Sequence, residues 1–420
     1  MKKLIYSLGA LLLVLILSFP ASTRARAAFT NVTYNVTSSA DTDTGICGVR
    51  SSSCTLRRAI NLANSAANVT NFVTINIKFY GTILLTAPLP AITDSPEFIT
   101  INGSTEGTGT RISGANLYQI FSVDANASLS LNDLIISYGH STGAGAALRN
   151  SGYTYLTRCT FSHNVSTLDG GAIYNTDWGS LDAWDTTFSY NSADSGGAIY
   201  EAGMMVQIFS STFDHNTATT NGGAIAQVKG QTLVADSTLY ANTAHFGAAL
   251  YKYNPPPYVY SFVVRSSTIS GSIASAGGSA IYIDLSSNPG SIAMMNTIVA
   301  NTSGGGTNCY AAAGASIDNY GNNLDSGASC GWGTANHSLS NTNPQLDPLA
   351  DYGGFTQTMR LKHISPAIDA ATFDSVDMIF EARDQRGKPR PSDGDGNGTK
   401  VYDIGAYEVI EQLFLPLIAR

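Results

Sequence analysis

Short apolar runs alternate with polar residues along most of this chain, and the alternation carries a second, longer period. Phe161, Phe188, Phe213, Leu239, Ile269 and Ile298 each follow a threonine. Three residues later stand Asn164, Asn191, Asn216, Asn242 and Asn301, with Ser272 in the remaining unit. Gly-Gly-Ala-Ile or a close variant separates these motifs. Its first glycines, Gly145, Gly170, Gly196, Gly222 and Gly247, lie 25, 26, 26 and 25 residues apart, and Gly278 follows after 31. The longer unit is expected to carry an insertion at NPPPY, 254–258. A period of this size marks a solenoid. Period-two alternation broken by glycine pairs excludes helical repeats. The predicted fold is all-β, a parallel β-helix in which one repeat makes one coil and coils stack at about 4.8 Å.

Each position in the repeat then has an expected place. The Phe/Leu/Ile column fills the core, and the threonine before it lies on the outer sheet face. The asparagine is expected to turn the chain in a left-handed conformation and to bond from coil to coil. Gly-Gly allows a sharp bend. Tyr174, Tyr200, Tyr251 and Tyr282 follow the glycine motif, with Ala226 interrupting, and are expected to point outward. Such a stripe suits a sugar or protein face, extended by Trp178 and Trp184. The alternative is a ladder that stabilises its own sheet.

A solenoid needs its ends covered. CTLRRAINLANSA, 54–66, places Leu56, Ile60 and Ala63 on one face of a short amphipathic helix, with Thr55 or Ser53 as its cap. Strand-like runs start near residue 73.

Charged residues make up only 12% of the chain, which fits a turn-rich β protein with an uncharged polar surface. The net charge of −8 and the lack of a Lys/Arg cluster argue against nucleic acid as a partner. Residues 1–27 read as a signal peptide: Lys2 and Lys3, an apolar run, then Ala25-Arg26-Ala27. The alternative is an uncleaved anchor. Either way the rest of the chain is expected to be exported, where disulfides persist. Cys47 with Cys54 and Cys309 with Cys330 are the expected pairs, leaving Cys159 as a buried apolar residue.

Candidate chemistry is sparse. Asp185 and Asp236 share a column two coils apart, roughly 10 Å, with none of the companion motifs of a polysaccharide hydrolase or lyase. His163 and His215 also share a column, with Tyr190 between, and read as exposed turn residues rather than metal ligands. SDGDGNGTKVYDIG, 392–405, is the best metal candidate. Asp393, Asp395, Asn397 and Thr399 alternate along it and Gly398 takes the sixth place of a calcium loop, while Ile404 stands where the closing Glu belongs and Asp403 is one residue short. The alternative is a polar Gly-rich turn.

CTLRRAINLAN resembles the bacterial exported family named for its CSLREA motif, with Thr55 for Ser and Arg58 for Glu. NPQLDPLADYGGFTQTMRL (343–361), SPAIDA (365–370), DQRGKPRP (384–391) and VYDIGAYE (401–408) resemble the choice-of-anchor Q domain. The FxxN and GGAI units resemble the polymorphic outer-membrane adhesins, although secretion through a C-terminal barrel of its own is not expected to carry over to this chain. Together these resemblances imply a right-handed parallel β-helix on a bacterial surface or secreted from the cell. They imply an N-terminal cap at 28–72, coils at 73–300, C-terminal coils and cap at 301–410, and a sorting tail at 411–420. Membrane contact is expected only through the signal peptide or C-terminal sorting. The expected function is a non-catalytic, adhesin-like protein binding an extracellular glycan or surface protein. The alternative is a divergent polysaccharide lyase or glycoside hydrolase.

Overall fold

The computed structural model describes residues 31–410 apart from 49–51, 66–71, 94–97, 108, 177, 256, 258, 285–289, 301–306 and 373–382. Residues 1–27, expected as a signal peptide, and 411–420, expected as a sorting tail, lie outside the described residues. The chain winds as a parallel β-helix. One coil runs through four strands, Ser180–Trp184, Thr187–Ser189, Ser192–Ser195 and Ile199–Ala202. Among the described residues, stacked coils make four sheets, of 11, 11, 6 and 8 strands in that order along a coil. The first sheet opens with Asn31–Val36, paired in parallel with Phe72–Ile77, so the coils start upstream of residue 73.

The core is a set of stacked columns. Phe161 pairs in register with Phe188, Phe188 with Phe213, and Phe213 with Leu239. The phenylalanine rings stack at 5.3 and 4.7 Å between centroids, fully buried. Each such side chain contributes about 2–3 kcal/mol of burial. Leu239 pairs with Ile269 as expected, and beyond Ile269 the column differs from expectation by one residue. Ile269 pairs with Val299, and Ile298 pairs with Thr268 in the outward column. An apolar residue is tolerated facing outward because the C-terminal segment covers it. Ile298 sits in a second apolar cluster with Leu324, Leu361, Ala367 and Ile404.

That segment, after Leu339–Ser340, does not continue the coils. It folds back along the flank of the second sheet in short antiparallel bridges such as Ala350 with Thr358. The threonine column points outward, yet Thr212, Thr238 and Thr268 are buried beneath it. Gln385 bonds Thr212 Oγ1 at 2.9 Å and Thr238 Oγ1 at 2.6 Å, and the Ala406 N–H donates to Thr268 Oγ1 at 3.1 Å.

At the other end, helix α1, Leu56–Ser65, buries Leu56, Ala59, Ile60 and Ala63 in the main core. Thr55 is its cap, accepting the Arg58 N–H at 3.2 Å. Cys47–Cys54 and Cys309–Cys330 are both bonded, and Cys159 is free and buried. Burial pushes the Cys159 thiol up to about 12, which keeps it inert.

Each coil turns at three left-handed corners, and only one uses glycine throughout. At the corner between third and fourth sheets Gly196 has φ 64°. Its neighbour Gly197 serves a different need: a Cβ there would stand 2.3 Å from the Gly223 carbonyl oxygen. At the corner between second and third sheets the left-handed residue is the one before the asparagine, namely His163, Tyr190, His215 and Ala241, with Tyr138 before Gly139 in the coil ahead of them. The asparagines themselves are the bonded residues, not the left-handed ones. The corner between first and second sheets carries Asp133, Arg158, Asp185, Ser210, Asp236 and Ser266, with φ from 42° to 56°. Left-handed backbone costs about 1–2 kcal/mol at a non-glycine residue. Coil-to-coil bonds hold it here, as in Asp185 N–H to Phe209 O at 3.1 Å.

Candidate binding groove

The six aromatic residues expected on a binding face are separated by the fold. The tyrosines form a column on the outer side of the fourth sheet. Tyr174 stacks on Tyr200 at 5.4 Å, Tyr251 on Tyr282 at 6.0 Å, and Tyr282 on Tyr310 at 4.6 Å. Their faces are turned on one another, so solvent meets edges. Tyr251 is only 5% exposed, and its hydroxyl donates to Asp284 Oδ2 at 2.5 Å. Beside Tyr200, burial and then the Asp194 charge push the Asp169 carboxyl up to about 6. Trp178 stands in the turn after Ile173–Thr176. Trp184 ends a first-sheet strand and stacks on Phe209 at 4.1 Å.

His163 and His215 belong to a second aromatic row, at the corner between second and third sheets. Tyr138, His163, Tyr190 and His215 stack at 5.2, 5.2 and 5.1 Å, and Tyr240 meets His215 edge-on at 5.7 Å. The coil spacing holds the two imidazoles on opposite sides of Tyr190, which separates them as ligands for one metal.

The 393–399 loop is tightly bonded to its own backbone. Asp393 Oδ1 accepts the N–H groups of Gly396 and Asn397, and Oδ2 accepts that of Gly398. Asp395 accepts from Asn397, and Asn397 Oδ1 accepts the Thr399 N–H. Asp403 is turned away: its oxygens accept the N–H groups of Asp369 and Val409. Burial and the neighbouring Glu408 hold its carboxyl well above the usual range. The carboxylate that joins the loop is Asp369, which the local spacing did not reveal. Oxygens of Asp369, Asp393 and Asp395 lie within 4.8 Å of one another. These three could share a cation, with Asn397 and Thr399 at the rim.

A concave groove follows the corner between first and second sheets. Three cavities of about 350, 310 and 190 Å³ lie in sequence there. The first two share Asp185 and Phe355, and the last two share Phe209 and Asp236. Asp185 and Asp236, paired by sequence alone on a column, thus line one cavity. The corner from Asp133 to Ser266 spans roughly 24 Å at about 4.8 Å per coil. The C-terminal segment forms the outer wall through Phe355, Arg383 and Arg386. Arg158 holds Asp133 through two 2.7 Å bonds and lies 5.3 Å over the Phe355 ring. Burial raises the Asp185 carboxyl, with Arg158 opposing. Arg390 approaches Asp236 at 3.5 Å from beneath. Aspartates and arginines lining the three cavities number four each, so the groove carries no net charge. Trp184 remains 39% exposed and Phe355 68%.

With this geometry in place, the comparisons with known proteins bear on three coils. Residues 158–176, 185–200 and 210–226 match the family model described as the Chlamydia polymorphic membrane protein repeat. Each matched segment carries the core phenylalanine, the asparagine and the glycine pair of one coil. No curated protein and no solved structure matches the chain.

Proposed function

We propose that this chain is a non-catalytic, surface-displayed β-helix that binds an extracellular glycan or a surface protein in the manner of an adhesin. The match of three consecutive coils to a membrane-protein repeat carries the reading. The two disulfides support it, since they suit an oxidising compartment outside the cytoplasm. So does the use of the repeated residues. Phenylalanine, asparagine and glycine are spent on core, ladder and corner, which leaves recognition to the outward positions. Trp178, Trp184 and the hydroxyl edges of Tyr174, Tyr200 and Tyr282 lie among those positions. A calcium ion at Asp369, Asp393 and Asp395, rimmed by Asn397 and Thr399, would fix the C-terminal loop. A glycan array run beside an activity screen on polysaccharides tests the reading. Binding without turnover supports it. Release of unsaturated or reducing ends favours the lyase or hydrolase alternative and rejects it.

A further inference from the structure

We propose that the groove at the first corner binds a neutral, extended β-1,4-linked glycan. The inference rests on the glycan-binding reading above and assigns it a site and a ligand class. Five observations converge. The groove is long and continuous, since neighbouring cavities share lining residues, and this suits a linear polymer rather than a compact ligand. Its charges balance, so neither a polyanion nor a polycation is favoured. It offers aromatic surface at Trp184 and Phe355 beside carboxylates. Pyranose rings use that combination, with C–H faces on the aromatic ring and hydroxyls donating to carboxylate oxygens.

The backbone disfavours a peptide. A bound strand gains affinity from main-chain hydrogen bonds. At this corner the N–H groups of Arg158, Asp185, Ser210 and Asp236 already donate to carbonyls of the next coil. Recognition is left to side chains. Those side chains have a two-coil period: aspartate recurs at 133, 185 and 236, with Arg158 and Ser210 between. A β-1,4-linked chain turns over at each sugar, so one face returns every second unit, and each sugar advances by about one coil spacing. The two periods coincide.

The test is titration calorimetry of the full chain with cellohexaose, xylohexaose, mannohexaose and hexa-N-acetylchitohexaose, using hexagalacturonate as the anionic comparison. At least one neutral hexamer is expected to bind better than hexagalacturonate. Phe355→Ala, a change at an exposed ring that leaves the core intact, should weaken that binding about tenfold, with Trp184→Ala at least as damaging. Tyr320→Ala, exposed on the last strand of the first sheet, should leave it unchanged. Equal binding by wild type, Phe355→Ala and Trp184→Ala overturns the groove, as does preference for hexagalacturonate. In either case the broader glycan-binding reading stands. Failure of every glycan on the array and in the titrations removes both.

Discussion

Asn191 Oδ1 accepts two hydrogen bonds from Asn164, from the backbone N–H at 3.1 Å and from Nδ2 at 2.9 Å. Asn191 Nδ2 in turn donates to Asn216 Oδ1 at 2.9 Å and to the Phe161 carbonyl at 2.9 Å. One fully buried side chain therefore ties three coils, and Asn216 repeats the arrangement with Asn242. Asn191→Ala strands donors of Asn164 and the Phe161 carbonyl in the interior. A stranded buried group costs about 1–3 kcal/mol, so the total loss should be on the order of 4 kcal/mol. Asn191→Asp keeps the acceptor but turns an oxygen towards the Phe161 carbonyl, and should lose as much at neutral pH. Urea unfolding of the two variants checks this. A loss below about 1 kcal/mol in both would show that the ladder is dispensable.

Inside the turn from the fourth sheet to the first runs another polar ladder. Asn150 Nδ2 donates to Asn175 Oδ1, and Asn175 Nδ2 to Glu201 Oε2 at 2.6 Å. Glu201 is fully buried, and among the described residues its Oε1 has no hydrogen-bond partner. Burial holds its pKa well above the usual range, only partly offset by Asn175. The unfolded chain loses this proton near pH 4.3 while the folded chain keeps it. The favourable contribution is complete below that pH and is lost as pH rises through the folded value. The next coil carries Gln227 at the paired position, so the site accepts an amide. Glu201→Gln should raise the melting temperature at pH 7 and flatten its fall with pH. Lys252, pushed down to about 8 by burial, titrates at higher pH with the opposite slope, so melts taken below pH 7.5 keep the two apart. A variant that melts lower than wild type at pH 7 would contradict the assignment.

The coil was legible because its strongest constraints leave chemical traces. A left-handed corner at Gly170 or Gly196 favours glycine, and a stacked core column repeats its residue type. The other two corners were silent. His163, Tyr190, Arg158 and Asp185 hold left-handed backbone without glycine, because coil-to-coil bonds impose it from outside the local sequence. The asparagine was correctly read as a ladder residue but wrongly as the left-handed one. Outward direction was legible for Thr212 and Thr238, but their burial was not, since Gln385 and Thr358 return from far along the chain. The same long-range docking covers Ile298 in its outward column and builds the groove from residues 104–266 and 355–387. No local pattern announces a wall supplied by a distant segment.

That segment is pinned at Gly405. Its φ is 104°, its N–H donates to the Asn296 carbonyl at 2.8 Å, and its carbonyl accepts Arg390 Nη2 at 2.7 Å. A Cβ there would stand 2.8 Å from both Thr268 Oγ1 and Ile298 Cδ1. Gly405→Ala combines backbone strain with overpacking, together roughly 3 kcal/mol. The cost should fall on docking rather than on the coils. Far-UV circular dichroism should stay close to wild type, while trypsin cuts sooner at Arg383 and Arg386. Unchanged digestion would mean that the flank contact does not depend on this close approach.

The calcium reading of the C-terminal loop makes a separate prediction. Asp369, Asp393 and Asp395 place three carboxylates together, and burial raises Asp369 while the neighbouring Asp395 adds to the penalty. A divalent cation would remove that repulsion. Ligand present at about a hundredfold above its dissociation constant stabilises a folded protein by about 2.7 kcal/mol. Millimolar calcium should therefore raise the melting temperature of the wild type by a few degrees, and chelator should reverse it. Asp393→Asn and Asp369→Asn should each abolish the response. Their own stability without calcium separates ligand loss from loop damage, because Asp393 also accepts three backbone N–H groups. Identical wild-type melts with calcium and with chelator would leave the loop as a self-bonded polar turn.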